Sequence, residues 1–376
     1  MIDSETVVGA GLRITVAKDD LASTLAVVAR GVSSRTAVLV LGGIQLRAEG
    51  GRLHLAATDM EVSLRASADA QVAGEGTVVV PGRLLLDIAR SLPNTDVTIE
   101  HRPEEAVVVV AAGSANYRLH TYSSEDFPRL PEVDTTTLHT IDRNALVETI
   151  SRVGRSASRD ESRPVLTGIL VRFEPGKIVM AATDSYRLAV KETPVSGTLP
   201  ELEAIIPARA LQELARIATG ADELQLGLQD NHVVFGADST WLTTRRIDGQ
   251  FPNYRQLLPE QFEHVLSLPR EEVLEVVRRV SLMAQRNSPL RLRFGDGELT
   301  VSAITQDVGE ARESMPAPYT GDPMEIGFNA EFLRDGLESV DSETIKFKLI
   351  SPLRPAVFEG DSDDYVYLIM PIRLAG

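Results

Sequence analysis

The four residues Ala56-Ala57-Thr58-Asp59 recur as Ala181-Ala182-Thr183-Asp184, 125 positions further along the chain. Phe127-Pro128 and Phe251-Pro252 form another matching pair, 124 positions apart. Two more pairs keep nearly the same spacing: residues 40–44 with 165–169, and residues 81–84 with 207–211. Collinear matches at one period indicate a duplicated domain.

A third copy is weaker but visible. Residues 297–303 resemble residues 176–182, and residues 326–333 resemble residues 205–211. Three units of about 125 residues account for the 376-residue chain, and each has the size of an ordinary domain. We therefore predict three tandem domains. Their expected boundaries are residues 1–134, 135–262 and 263–376.

The apolar periodicity alternates between strand and helix within each unit. In the first unit, Leu21, Leu25 and Val28 have helical spacing, and the flanking segments alternate as strands do. We predict strands at 11–17, 38–48, 52–57, 61–66, 77–80, 97–100, 106–111 and 116–121, helices at 19–30 and 83–91, and linkers at 125–134 and 249–263. Each domain then consists of two β-α-β-β-β halves with mostly antiparallel sheets. The expected fold class is α+β.

Composition excludes several classes of protein. The chain has no cysteine, so disulfides, thiolate catalysis and cysteine-ligated metals are ruled out. It lacks an apolar run of about 18 residues and begins with an acidic segment unlike a secretory signal. We therefore expect a cytoplasmic protein without a membrane partner. Its net charge of −16 argues against tight nucleic-acid binding if that charge is evenly spread.

Motifs for catalysis are missing from the sequence. There is no phosphate-binding glycine loop, no dinucleotide fingerprint and no metalloprotease or hydrolase signature, and the six histidines are scattered. Asp59 and Asp184 recur at a break between strands, where a carboxylate commonly accepts hydrogen bonds from nearby backbone amides. We therefore predict no catalytic residue, metal or cofactor.

Arginines recur at equivalent helical positions. Arg83 and Arg90 are seven residues apart on one predicted helix face, and Arg209 and Arg216 repeat the pattern in the second unit. The first helices of the units add Arg30, Arg143, Arg152, Arg155, Arg270, Arg278 and Arg279. Any one of them alone is typical of an exposed residue with weak surface ion pairs. If equivalent helices share one surface, that surface is basic and suits duplex phosphates without reading bases.

The C-terminal run from Tyr365 to Leu374 is similar to the end of the bacterial DNA polymerase III β sliding clamp family. Thr183-Asp184-Ser185-Tyr186-Arg187-Leu188-Ala189 and Phe251-Pro252-Asn253-Tyr254-Arg255 resemble two further signatures of that family. The repeat and the length agree along the full chain. The lack of cysteines and the short loop around Pro355 resemble an actinobacterial branch.

The resemblance implies three clamp domains per subunit in a ring-shaped, head-to-tail homodimer, with helices lining a central pore and sheets outside. Such a ring encircles double-stranded DNA and is a non-catalytic accessory subunit of the polymerase. The implied protein partners are the DNA polymerase III α subunit, the clamp loader and other proteins with a clamp-binding motif. The implied DNA-binding residues are Arg35, Arg83, Arg90, Arg159, Arg163, Arg209 and Arg216. In the third unit Arg334 is present, but Asp341 stands where a basic residue is common.

Partners of these clamps insert a short apolar peptide between the second and third domains. The matching residues are Leu166, Thr183, Ser185, Tyr186, Arg187, Leu188, Pro252, Gln256, Leu257, Phe332, Pro355, Leu368, Met370, Pro371, Ile372 and Arg373. Tyr186 replaces a histidine, and Gln256 an arginine, found in other members, so peptide preference is expected to differ.

Two other functions are compatible with parts of the sequence. One is a clamp paralogue retained for resistance to a clamp-targeting antibiotic, in which changes such as Tyr186 or Gln256 would be selected. The other is a multidomain metabolic enzyme with its site at a domain junction. The enzyme hypothesis requires a convergent set of titratable residues, and the sequence offers none.

Overall fold

A computed structural model of the chain describes residues 11–33, 38–134, 138–196, 202–229, 231–285, 288–306 and 308–374. The chain forms two compact structural units, whose limits differ from those of the three sequence repeats. The first comprises Met1–Arg143 and Arg216–Arg246, and the second comprises Asn144–Ala215 and Ile247–Gly376. Each unit thus contains strands from two neighbouring sequence repeats. None of the helices in the described ranges combines the length and apolarity that a membrane crossing requires.

The first unit begins with β1 (Arg13–Val16) and α1 (Lys18–Val28). The next strands are β2 (Gly43–Glu49), β3 (Arg52–Thr58), β4 (Val62–Asp69), β5 (Gln71–Gly74) and β6 (Gly76–Pro81). These are followed by α2 (Gly82–Ser91), β7 (Val97–Arg102), β8 (Val107–Ala112), β9 (Ala115–His120) and β10 (His139–Asp142).

The second unit contains most of α3 (Arg143–Val153), then α4 (Pro164–Thr167), β11 (Gly168–Glu174), β12 (Lys177–Thr183), β13 (Arg187–Pro194) and β14 (Leu202–Pro207). After α5 (Ala208–Ile217), the chain returns to the first unit for β15 (Glu223–Gln229), β16 (His232–Ala237) and β17 (Thr240–Arg245).

The rest of the chain belongs to the second unit. It contains β18 (His264–Pro269), α6 (Arg270–Ser281), β19 (Leu290–Gly295), β20 (Glu298–Thr305) and β21 (Gly309–Pro316). The last elements are β22 (Met324–Phe328), α7 (Ala330–Ser339), β23 (Thr344–Leu349), β24 (Ala356–Glu359) and β25 (Tyr365–Ile369).

Antiparallel sheets form the framework of both units. The first unit has a five-stranded sheet, β5-β1-β7-β8-β9, and an eight-stranded sheet, β10-β15-β16-β17-β4-β3-β2-β6. The second unit has an eight-stranded sheet, β14-β11-β12-β13-β25-β24-β23-β18, and a four-stranded sheet, β21-β20-β19-β22. In each eight-stranded sheet, the last strand of one repeat pairs with the preceding repeat, as β17 does with β4 and β25 with β13. The predicted α+β fold with antiparallel sheets is confirmed.

Helices pack on the sheets through the apolar faces that the sequence predicts. Leu21, Leu25 and Val28 of α1 are buried, and Leu85 and Ile88 of α2 belong to the same apolar core. Burying each such side chain contributes roughly 1.5–3 kcal/mol. The exposed face of α2 carries Arg83, Asp87 and Arg90 together with the half-exposed Leu84.

In the first unit one predicted strand boundary was wrong, and one strand was not predicted. Residues 38–48 do not form one strand, because Leu39–Gly42 is a 3₁₀ turn and β2 starts at Gly43. The turn buries two successive apolar residues, Val40 and Leu41, which an alternating strand cannot do. Strand β5 was missed because Gln71–Gly74 contains no buried side chain, and hence no apolar alternation.

Candidate peptide-binding site

A tight turn between β12 and β13 forms the centre of the predicted pocket. Thr183 Oγ1 donates to the carbonyl oxygen of Arg187 (2.7 Å) and accepts from the N–H of Ser185 (3.1 Å). Asp184 Oδ1 accepts from the N–H groups of Tyr186 (2.9 Å) and Arg187 (3.0 Å). Ser185 has φ +80°, a conformation that non-glycine residues seldom adopt. The side-chain hydrogen bonds hold the turn in this shape.

The equivalent turn of the first unit has the same construction. Asp59 Oδ1 accepts from the N–H groups of Glu61 and Val62, and Met60 again has φ +80°. The interpretation of Asp59 and Asp184 as turn residues is confirmed.

Arg187 is buried at the start of β13, with 5% of its side chain exposed. Its Nε donates to Asp184 Oδ2 (3.0 Å), its Nη1 donates to Asp335 Oδ2 (2.6 Å), and its guanidinium lies 4.2 Å from the ring centroid of Phe332. Burial lowers the pKa of Arg187, but Tyr367 and Asp335 raise it further, so the guanidinium pKa lies above its ordinary value. Arg187 is therefore a fixed cation beneath the pocket.

The C-terminal strand forms one side of the site. Leu188 is paired with Leu368, and the N–H of Met370 donates to the carbonyl of Tyr186 (2.8 Å). The chain then passes Pro371, and Ile372 donates its N–H to the carbonyl of Gly327 in β22 (2.8 Å). A Cβ at position 327 would meet that tail at under 3 Å, so glycine permits this approach.

Helix α7 packs closely behind the C-terminal strand. The Tyr367 hydroxyl donates to the carbonyl of Phe332 (2.8 Å), and a Cβ at Gly336 would lie 2.5 Å from the Tyr367 ring. Asp335 and Phe332 thus reach Arg187 from one helix face. Sequence reasoning identified Phe332 and missed Asp335, although their i, i+3 spacing places them on the same face.

An apolar cluster surrounds the paired Leu188 and Leu368. Leu188, Leu368, Tyr254 and Val357 are buried together, with Leu258 packed against them. Tyr254 was not among the predicted site residues, although it lies within one of the family signatures. Through Tyr254, the 249–263 segment that carries Pro252, Gln256 and Leu257 joins the site.

Side chains that could meet a ligand lie around this cluster. Leu257, Met370 and Ile372 are 50%, 40% and 37% exposed, and Tyr186 is 61% exposed. Leu166 is nearly buried at α4, and Phe332 and Pro355 are half-buried, the latter preceding the β24 residue that pairs with Ile369. Pro252, Gln256 and Arg373 are exposed. Exposed aliphatic carbon beside a fixed cation suits a short apolar peptide.

The equivalent place in the first unit is polar. The strand pairings make Ser63 equivalent to Leu188 and Thr243 equivalent to Leu368, and Ser63 is likewise paired with Thr243. Gln45 and Arg65 replace Leu170 and Val190 on the same sheet face. The apolar site is therefore present in the second structural unit, and the equivalent place in the first structural unit is a polar copy of it.

The first unit also contains a cavity of about 1150 Å³. Its lining includes Arg47, His54, Arg65, Phe127 and Trp241, and it includes none of the predicted site residues. Arg65 Nη1 donates to the carbonyl of Pro131 (2.6 Å), while Arg47 pairs with Glu49 at 2.5 Å. Two arginines of the cavity lining are thus held by partners within the protein.

The predicted DNA-binding arginines occupy several elements. Arg83 and Arg90 are exposed on α2, and Arg209 and Arg216 are exposed on α5. Arg159 and Arg163 lie on the loop before α4, with Arg163 within 3.2 Å of Asp160 and Arg159 within 3.8 Å of Glu331. Arg35 lies outside the described residues.

Several arginines of the first helices are paired within the chain. Arg152 pairs with Asp341 (2.7 Å) and Arg155 with Glu338 (2.5 Å). Arg143 and Arg270 donate their Nε to the carbonyls of Ala218 and Ser342, respectively. Acids on α7 and just after it therefore pair with two arginines that the sequence suggests as phosphate contacts.

Comparison with known proteins identifies the family. Models of the N-terminal, central and C-terminal domains of the DNA polymerase III beta subunit match residues 12–131, 140–253 and 255–373. The chain belongs to the DNA polymerase III β subunit family. As a β subunit it is a non-catalytic clamp that gives the polymerase its processivity. The metabolic-enzyme hypothesis was therefore wrong.

Relatives cover almost the whole chain. The beta sliding clamp of Streptomyces coelicolor is 37% identical over 379 residues, covering 97% of this chain and 100% of the relative. The beta sliding clamp homolog GriR of Streptomyces muensis is 35% identical, with 96% and 99% covered. These relatives agree with an actinobacterial branch of the β subunit family.

Solved structures share the fold of this β subunit. A Pseudomonas aeruginosa sliding clamp bound to griselimycin superposes with a TM-score of 0.87 at 30% identity, covering 97% of this chain and 100% of the other. The Bacillus subtilis clamp has a TM-score of 0.90 at 24% identity, with the same coverage, and supports the fold alone.

Proposed function

We propose that two copies of the chain close head to tail into a ring around double-stranded DNA. In this ring, the residues around Arg187 bind linear motifs of the polymerase α subunit, the clamp loader and other partners. One observation supports the peptide site. The aliphatic side chains of Leu257, Met370 and Ile372 are exposed in segments that adjoin the paired Leu188 and Leu368. We further propose domain boundaries at 134/135 and 262/263, with the sequence repeat as their basis.

The sheet topology supports head-to-tail closure. Strand β17 pairs with β4, and β25 pairs with β13, each joining one repeat to the preceding one. The equivalent strands left over are β9 of the first repeat and β21 of the third, and both lie at sheet edges in the described residues. A second copy would pair its β21 with β9, and the heterologous contact would close after two subunits.

Extending the internal registers predicts the pairing between copies. Leu242 is paired with Leu64, and Tyr367 with Ala189. Tyr117 in β9 is equivalent to Leu242 and Tyr367, and Ala311 in β21 is equivalent to Leu64 and Ala189. Tyr117 of one copy should therefore pair with Ala311 of the other. In this register Arg118 lies opposite Glu310, an attractive cross-strand pair.

Encirclement reconciles DNA binding with a net charge of −16. A threaded ring needs only weak phosphate contacts, because the topology prevents dissociation. Arg83, Arg90, Arg209 and Arg216, all exposed, are the proposed cations, joined by Arg159, Arg163 and Arg35. We propose that they contact phosphates without reading bases.

Replacing Arg83, Arg90, Arg209 and Arg216 with alanine tests the DNA path. We expect the affinity for short duplex DNA at low salt to fall by an order of magnitude or more. The dependence of log affinity on log salt should flatten, since each lost phosphate contact reduces the slope by about 0.9. Fluorescence anisotropy at several salt concentrations measures both quantities. A control variant replaces three arginines with ion pairs in the structure, Arg172, Arg279 and Arg291. Wild-type affinity and slope in the fourfold variant would remove these arginines from the path.

A further inference from the structure

The loop that carries Arg159 and Arg163 also contacts the peptide site. Arg163 Nη1 donates to Ser185 Oγ at 3.0 Å, and its Nε donates to Asp160 Oδ2 at 3.2 Å. Ser185 is the residue with φ +80° in the turn that presents Tyr186 and begins β13. One guanidinium thus bonds to the side chain at the strained position of the turn while remaining 45% exposed itself.

The backbone and a second arginine tie the loop to the pocket as well. The N–H of Leu166 donates to the carbonyl of Arg163 (3.0 Å), and the N–H of Ser158 donates to the carbonyl of Leu166 (2.8 Å). Arg159 lies 3.8 Å from Glu331, the residue before Phe332, on which Arg187 stacks. The loop therefore touches the site through Leu166, Ser185 and the first turn of α7.

A DNA phosphate would compete directly for these contacts. A hydrogen bond from a guanidinium to a phosphate is stronger than one to a neutral hydroxyl, so Arg163 would exchange Ser185 Oγ for a phosphate oxygen. Ser185 would then lose this side-chain bond, which leaves only the bonds of Thr183 and Asp184 to hold the turn at φ +80°, a conformation that is unfavourable for a non-glycine residue. The turn would become less ordered, and ordering it again would cost part of the peptide binding free energy.

We propose that Arg163 is a positioning residue of the peptide site. Through the 158–166 loop, bound DNA would lower the affinity of the site for peptides. This inference rests on the proposed function, in which the loop meets DNA and the site binds peptides. Linkage is reciprocal, so DNA weakens peptide binding by the same factor as peptide weakens the contact with DNA. A partner peptide would thereby loosen the ring on the duplex, which favours sliding.

The test measures the affinity of a fluorescein-labelled peptide from the polymerase α subunit, with and without saturating short duplex DNA at low salt. For the wild-type dimer we expect DNA to weaken peptide binding about fivefold, the loss of roughly one hydrogen bond. Ser185→Ala removes the acceptor and leaves Arg163 available to DNA. This variant should bind peptide about fivefold more weakly without DNA and show no further change when DNA is added.

Four further variants exclude a general structural effect. Ser185→Gly also removes the acceptor but favours φ +80°, so it should lose the response to DNA whatever its basal affinity. Arg163→Lys should restore part of the response that Arg163→Ala abolishes. Arg172→Ala, which removes an ion pair with Glu203, should behave as wild type. An undiminished DNA response in Ser185→Ala and Ser185→Gly would overturn the inference. Wild-type protein that binds no peptide at all would instead overturn the proposed function.

Discussion

Ending the chain after Ile369 should weaken binding of polymerase-derived peptides by about 100-fold while leaving the dimer intact. The truncation removes Met370 and Ile372, whose side chains are 40% and 37% exposed in the free chain. Burying the exposed part of each against a ligand contributes roughly 1 kcal/mol. The truncation also removes the backbone bonds from Met370 to Tyr186 and from Ile372 to Gly327, which order the site. Together these losses amount to about 3 kcal/mol, or two decades of affinity. Strands β9 and β21, the proposed dimer edges, are untouched.

Anisotropy titration measures the affinity, and sedimentation velocity reports the dimer. Met370→Ala, which keeps the backbone bond to Tyr186, should bind peptide about fivefold more weakly. Val265→Ala, on the edge strand β18, is the matched control for trimming an exposed aliphatic side chain. Unchanged peptide affinity in the truncated chain would refute the assignment of the pocket.

Reversing one charge at the proposed dimer edge should weaken the dimer by about 100-fold. Arg118→Glu places two acids opposite each other, and a closed dimer contains this contact twice. Losing an attractive pair and gaining a repulsive one costs about 1–2 kcal/mol per interface. Arg118 also pairs with Glu105 of its own chain, so the single variant alone does not establish the register.

The compensating variant decides the register. Arg118→Glu combined with Glu310→Arg should recover most of the dimer stability, because the attractive pair is restored in the opposite sense. Arg118→Glu combined with Glu313→Arg, a nearby acid of the same strand, is the control and should not. Sedimentation equilibrium over a dilution series gives the dissociation constants. Equal dimer stability in both double variants would contradict the pairing of Arg118 with Glu310.

The repeat made much of this fold predictable from sequence. Matching segments such as 56–59 and 181–184 locate equivalent strands, and the spacing of Leu21, Leu25 and Val28 locates a helix. The sequence contains no comparable signal for the pairing of β17 with β4, because strand order depends on contacts between residues far apart in sequence. Strand β5 was missed for a different reason, because Gln71–Gly74 shows no apolar alternation.

The candidate site was predictable in part. The family motif gives Arg187 and Met370, whereas the partners that fix Arg187 come from distant elements. Asp335 is 148 positions away in sequence, and its role follows only from the packing of α7 on β25. The charge pattern was misleading for two other arginines. In the sequence Arg152 and Arg155 look like free helix cations, but in the structure they pair with acids on or near α7.

Retention on DNA of different topology tests the central claim most directly. After loading onto a nicked circular plasmid, the protein should remain on the DNA through gel filtration at a salt concentration that abolishes simple ionic binding. Cutting the plasmid once with a restriction enzyme should release it, because a ring slides off a free end. Equal retention on the circular and linear plasmids, or on neither, would contradict encirclement of DNA by this chain.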